Sequence, residues 1–205
     1  MSVMRLVVAA CLASALAACS IGSPLPHSAT YVVEPPLPAP APAASRRPEA
    51  LRMGNVRVAP AFSGHALVYR MDDVKFTPDF YNAFIAEPGP MLGGRMAEWL
   101  DRSGPFKTVS QPGGPAPAPY ALEAVVTELY GDFRAGQKPA AVMTVQFTLV
   151  DLNSVPATVV LERFIGRRVE LPQATPEALV RGYGQALSEI LTELAAQLRQ
   201  LPSEK

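Results

Sequence analysis

The stretch AVMTVQFTLV, Ala141 to Val150, decides the fold class. Met143, Val145, Phe147 and Leu149 alternate with Thr144, Gln146 and Thr148, so apolar side chains fall on one face and polar ones on the other. A period of two belongs to the β-strand, and a clean alternation marks a sheet packed on one face and solvated on the other. Such a sheet needs a second layer over its apolar face.

The rest of the chain supplies more strands. YALEAVVTELY, Tyr120 to Tyr130, turns Tyr120, Leu122, Ala124 and Val126 inward. RMGNVRVAP sets Val56 and Val58 against Asn55 and Arg57, and HALVYRM (His65 to Met71) groups Leu67, Tyr69 and Met71 on one face. Ala157 to Arg168 reads as a third long strand with poorer alternation, closing on Arg167 and Arg168.

Two helices supply the cover. Over Pro90 to Arg102, Leu92, Met96, Trp99 and Leu100 form one apolar stripe, which Ser103-Gly104-Pro105 stops. The second helix has an explicit start, with Thr175 as N-cap, Pro176 at the first helical position and Glu177 in the first turn. It runs to about Leu201 and aligns Leu179, Tyr183, Leu187, Ile190, Leu191, Leu194 and Leu198 toward the sheet. The expected class is α+β, a mainly antiparallel sheet with two helices packed on one face.

The N-terminus reads as a leader. Met1 to Arg5 carries one positive charge, and Leu6 to Leu16 is apolar or small throughout, too short for the ~20 residues that a spanning helix needs. Leu16-Ala17-Ala18-Cys19 resembles the lipobox of bacterial lipoproteins, in which the cysteine sulfur is lipidated and the chain is cut just before it. Met1 to Ala18 is then a lipoprotein signal peptide and Cys19 the anchor; the alternative is an ordinary secretory signal with an incidental cysteine. Cys11 would leave with the leader, and a thioether at Cys19 rules out an internal disulfide, a thiolate metal site and a cysteine nucleophile. The covalent lipid on Cys19 is the only prosthetic group expected, and several acyl chains anchor firmly where one does not. By analogy with Gram-negative lipoproteins, Ser20 after the cysteine implies an outer-membrane address, with the domain in the periplasm.

Composition narrows the rest. Lys+Arg and Asp+Glu are equal at 18 each, with no long run of one sign, so the chain lacks the basic footprint of a nucleic-acid binder. Eight of the 22 prolines lie between Ser23 and Pro48, and Pro35 to Pro48 is dense enough to favour extended polyproline II. Cys19 to Ala50 is therefore read as a lipidated tether lifting the domain off the bilayer, with local β-propensity for a short strand over 30–34. A PxxP recognition motif is the alternative. Leu51 to Leu201 forms the folded domain.

No catalytic constellation emerges. The two histidines, His27 and His65, share no helical face, and there is no HExxH or GxSxG. Gly182-Tyr-Gly184 lacks the third glycine of a nucleotide loop and sits inside a helix, where it reads as a close approach to the sheet. Asp72-Asp73 reads as a solvated turn. The chain is expected not to be an enzyme.

The order of these features resembles a known family. A lipobox, a short strand near Tyr31, "LVYR" (Leu67 to Arg70), an aromatic segment leading to "EPGPML" (Glu87 to Leu92), "LDRSGPFKTV" (Leu100 to Val109), "YALEAVVTELYGDF" (Tyr120 to Phe133) and a C-terminal helix are similar to the ABC-type transport auxiliary lipoproteins. That family includes the lipoprotein of the paraquat-inducible operon. The resemblance implies partnership with an MCE-domain lipid transporter that moves lipids between the two membranes, and leaves a homo-oligomer open. A structural or assembly lipoprotein of another envelope complex is the alternative.

For docking, the surface must serve. KFTPDFYNAFIAEP (Lys75 to Pro88) packs Phe76, Phe80, Tyr81 and Phe84, with Ile85, into a stretch broken by Pro78 and Pro88, too irregular for one element. Its rings are either exposed anchors for a partner or part of the core and sheet edge. Arg167 and Arg168 are a second candidate, for lipid head groups or an acidic partner, against a solvated strand end.

Overall fold

Three long strands with one apolar face set the frame, and the computed structural model, which describes residues 28–114 and 117–201, shows how the remaining elements complete it. The strands are β1 (Ala29–Tyr31), β2 (Arg47–Val58), β3 (Ala66–Arg70), β4 (Phe76–Phe84), β5 (Phe106–Ser110), β6 (Tyr120–Asp132), β7 (Ala140–Asp151) and β8 (Thr158–Glu170). The helices are α1 (Pro88–Ser103) and α2 (Pro176–Arg199).

β6, β7 and β8 form an antiparallel meander, with Val126 opposite Val145 and Val145 opposite Ile165. The other edge of β6 is shared. β2 runs parallel to its first half, with Leu51 opposite Tyr120, and β3 runs parallel to its end, with Tyr69 opposite Gly131. The sheet forks from there: β5 lies beyond β2, while β4 and then β1 lie beyond β3. The α+β class with two helices on one face is the observed one, but the expected mainly antiparallel sheet is a mixed one, since four of its seven strand pairings among the described residues are parallel. Parallel neighbours need long crossovers. The chain between β2 and β6 provides one, and it contains α1.

The alternation in Ala141 to Val150 is realised as read. Met143, Val145, Phe147 and Leu149 are fully buried beneath the helices. α1 packs on β2 and β5 and α2 on β7 and β8, so each half of the forked sheet has its own cover. Thr175 Oγ1 accepts the Ala178 N–H at 3.2 Å, the N-cap expected of that helix. α1 ends at Gly104, whose φ of 71° lets its N–H return to the Leu100 carbonyl at 3.1 Å.

β4 is the element that periodicity does not reveal. Its register against β3 jumps from Val68–Pro78 to Ala66–Ala83. Within the jump, Asp79 Oδ1 accepts the N–H groups of Tyr81 (2.8 Å) and Asn82 (3.0 Å), so an Asx turn throws Phe80 and Tyr81 out of the ladder. The strand is continuous in direction but bulged, and its side chains lose the period of two.

Candidate functional site

The proline-rich segment corrects the sequence reading most. Instead of standing off as a spacer, residues 33–41 lie across the two helices. Val33 is fully buried in the core. The Pro36 carbonyl accepts from Trp99 Nε1 of α1 at 3.0 Å and from Ser188 Oγ of α2 at 3.1 Å, so one residue ties both helices to the strap. Arg102 Nε donates to the Pro38 carbonyl at 2.7 Å, and the Ala41 N–H donates to the Arg102 carbonyl at 3.1 Å. Arg95 pairs with Glu34. Proline favours this role: polyproline II leaves its carbonyls free of internal bonds and therefore open to donors from a neighbour. Among the described residues the folded unit thus includes β1 and the strap, well before Leu51.

At the start of the strap, β1 adds a parallel edge to β4, with Ala29 opposite Asn82 and Tyr31 opposite Phe84. The short strand expected over 30–34 overlaps the observed β1, Ala29–Tyr31, only at Thr30 and Tyr31. Tyr31 Oη donates to Glu177 Oε1 at 2.7 Å, and burial, with that carboxylate, pushes the phenol up to about 12. Beneath it Tyr69 donates to Asp79. Burial alone would raise Asp79, but the hydrogen bonds from Tyr69, Tyr81 and Asn82 outweigh it and hold the carboxyl below its usual range.

The aromatic segment is divided three ways. Phe84 is core, only 3% exposed, with its ring 6.2 Å from that of the fully buried Tyr183, so it is not a docking residue; at the end of β4 the strand has regained its register and points Phe84 inward. Phe76 is partly covered on the opposite, helix-free face, where it meets Phe62 at 6.0 Å and Tyr130 at 5.2 Å in edge-to-face contacts. Phe80, Tyr81 and Ile85 remain at the surface, Phe80 at 89% exposure.

Arg167 and Arg168 do not form one basic patch. Neighbours in a strand point to opposite faces. Arg167 turns toward α2, where Nη2 meets Glu193 at 2.5 Å and Nε meets Glu189 at 3.6 Å. Arg168 turns to the other face and meets Asp132 at 3.2 Å. Asp132 also takes a bidentate fork from Arg134, 2.9 Å to each oxygen, and that guanidinium, with Arg168, holds its carboxyl down at about 2 against the opposing effect of burial. Both arginines are structural partners of acids.

The strand that carries them is an edge. β8 pairs only with β7 among the described residues. Arg163 Nη1 donates to the Glu162 carbonyl at 2.7 Å and Arg167 Nη1 to the Gly166 carbonyl at 2.8 Å, so charged side chains occupy edge acceptors that another strand would need. Phe164 stands out between them at 63% exposure.

The remaining concavities are shallow. Two hollows of about 400 Å³ each lie beside α1 and share Glu98 and Gln111, and one of about 550 Å³ is lined by Ala41, Arg46, Pro48 and Lys107. Among the described residues no group of three His, Cys, Asp or Glu side chains is placed to hold a metal ion, and no helix is long and apolar enough to cross a membrane. Cys19 lies outside the described residues.

Residues 31–195 match the ABC-type transport auxiliary lipoprotein component family. The chain belongs to that family. The match begins at Tyr31, so the strap is part of the auxiliary-lipoprotein domain. Protein XCC0632 from Xanthomonas campestris, of family DUF330, is similar in fold at 20% identity and a TM-score of 0.66, over 80% of this chain and 92% of its own. An uncharacterised protein has 16% identity and a TM-score of 0.64, over 84% and 99% of the two chains. The hypothetical protein CT253 from Chlamydia trachomatis has 10% identity and a TM-score of 0.54, over 74% and 96%. No curated protein matches the chain. Membership makes this an envelope lipoprotein and an auxiliary component of an ABC-type transport system.

Sequence reasoning missed the strap because it is held through its own backbone carbonyls, which every residue carries. One signal was present. Gly182 and Gly184 both mark close approaches, but only Gly182 faces the sheet, where a Cβ would stand 2.7 Å from Ala141. At Gly184 a Cβ would meet the Glu34 carbonyl oxygen at 2.4 Å.

Proposed function

We propose that the chain is a non-enzymatic, outer-membrane-anchored subunit of an MCE-type lipid transport system, held by lipid on Cys19 with its domain in the periplasm. The family match over residues 31–195 carries this reading. The lipobox at Leu16 to Cys19 supports the anchor, and Ser20 supports the outer-membrane address. The site supports a binding role: its acids are engaged by arginines and tyrosines rather than converging on an open cleft. The lipid cargo passes through the partner, and the auxiliary domain contributes contact surface.

Affinity purification of the full chain from detergent extract tests the reading. Recovery of an MCE-domain protein is expected. Recovery of an outer-membrane barrel or a peptidoglycan-linked protein in its place would move the chain to envelope assembly. Labelling with a radioactive fatty acid tests the anchor, since Cys19→Ala should lose the label and undiminished label would defeat it.

A further inference from the structure

Nine residue steps separate Cys19 from Ser28, where the described chain begins. Even fully extended, that length reaches at most about 30 Å. The point from which it must reach is fixed: Ser28 Oγ donates to the Tyr81 carbonyl at 3.1 Å, and Ala29 is locked opposite Asn82. Because β1 is parallel to β4, the N-terminal end of β1 points toward the beginning of β4 and the β3–β4 turn.

That end of the sheet exposes apolar side chains at two places, the bulge of β4 and the β3–β4 turn. The rings of Phe80 and Tyr81 meet edge to face at 5.1 Å, and the turn adds Val74, 89% exposed, and the exposed Met71. Its two acids have partners, although both stay open to solvent beside the exposed Lys75. Asp73 pairs with Arg134 at 2.9 Å, and the Asp72 carboxylate accepts the N–H groups of Val74 and Lys75 at 2.9 and 2.7 Å. A turn whose acids are occupied by backbone and arginine presents its valine and methionine outward.

We propose that this end of the domain rests on the bilayer that holds the chain, with Phe80 and Tyr81 seated at head-group level. The proposal rests on the Cys19 anchor. Tyrosine favours the membrane interface, where its hydroxyl stays wet and its ring is dry, and a neighbouring phenylalanine adds apolar area that inserts beside it. Two rings and two aliphatic side chains would bind a membrane weakly from solution, but a leash of about 30 Å makes the contact intramolecular, and a weak contact then suffices. A protein occupant needs roughly 800 Å² of matched surface on each side, whereas a bilayer accepts a small wedge. The strap sharpens the geometry: with residues 33–41 pinned across both helices, no more than the nine residue steps before Ser28 separate the domain from its anchor.

The lipidated full chain, reconstituted in phosphatidylcholine vesicles with brominated acyl chains, tests this. Phe80→Trp should be strongly quenched by the brominated lipid and protected from aqueous iodide, while Phe164→Trp on the opposite edge should show the reverse; the buried Trp99 sets a common background. Raising the salt should leave the quenching unchanged, because the contact is apolar. Vesicle flotation is read in parallel. A chain that fails to float overturns the anchor and the proposal together. A chain that floats while Phe80→Trp stays unquenched overturns the proposal alone, and protection that comes only with an added MCE-domain protein makes this surface a protein interface.

Discussion

The Trp99 indole donates to the Pro36 carbonyl at 3.0 Å, so the single tryptophan of the chain is the clasp between α1 and the proline-rich strap. Trp99→Phe keeps most of the buried ring and removes the donor. Ser188 still serves Pro36, so the loss should be about 1 kcal/mol, a fall in Tm of about 2–4 °C. The specific sign is local: the Ala41 amide, which donates to the Arg102 carbonyl at the end of the strap, should exchange faster with solvent while β6 and β7 keep their protection. Unchanged exchange at Ala41 would show that the clasp contributes nothing.

Gly184→Ala should act on the same strap from the α2 side. Inside a helix, Gly to Ala ordinarily stabilises by about 1 kcal/mol. Here the new methyl would stand 2.4 Å from the Glu34 carbonyl oxygen and 3.1 Å from its carbon, both backbone atoms. The sign should reverse, with a lower Tm and a strap more open to proteolysis. A higher Tm would mean that residues 33–35 move aside at no cost.

How far the sequence could be read follows from which atoms make each contact. The alternation through Phe147 and the stripe through Tyr183 were legible because burial selects side chains, and side chains are what a sequence writes. The strap was not, because Pro36 and Pro38 act through carbonyls. β4 escaped because the Asp79 turn interrupts its period, and β5 because its buried residues, Phe106 and Val109, fall three apart and not two. Arg167 and Arg168 read as a basic pair, yet their partners come from α2 and from β6, far along the chain.

Phe84 and Phe80 separate the core from the surface within one segment. Phe84→Ala empties a site beside Tyr183 and should cost about 3–5 kcal/mol. Phe80→Ala removes an exposed ring and should stay within about 0.5 kcal/mol of the parent. Chemical denaturation of the two variants measures both. A large loss at Phe80 would mean that the bulge depends on its contact with Tyr81.

Asp132 should make the fold acid-sensitive in a defined window. Its residue is 2% exposed, and both oxygens are held by Arg134 and Arg168. The folded carboxyl sits at about 2, below the usual 3.8. The unfolded chain therefore takes up this proton first as the pH falls, so the contribution is complete above the unfolded value, declines as the pH drops below about 4, and is gone below the folded value. Asp72, Asp79, Glu170 and Glu177 are also held low and titrate in an overlapping range, so the wild-type curve alone does not isolate Asp132. Comparison with Asp132→Asn does. At neutral pH the variant should be less stable by about 1–3 kcal/mol, the scale of a charged hydrogen bond, and the gap should narrow steadily from about pH 4 to pH 2. A gap that stays constant across that window would mean that the arginines hold the asparagine amide as well as the carboxylate, and that the charge on Asp132 contributes nothing to folding.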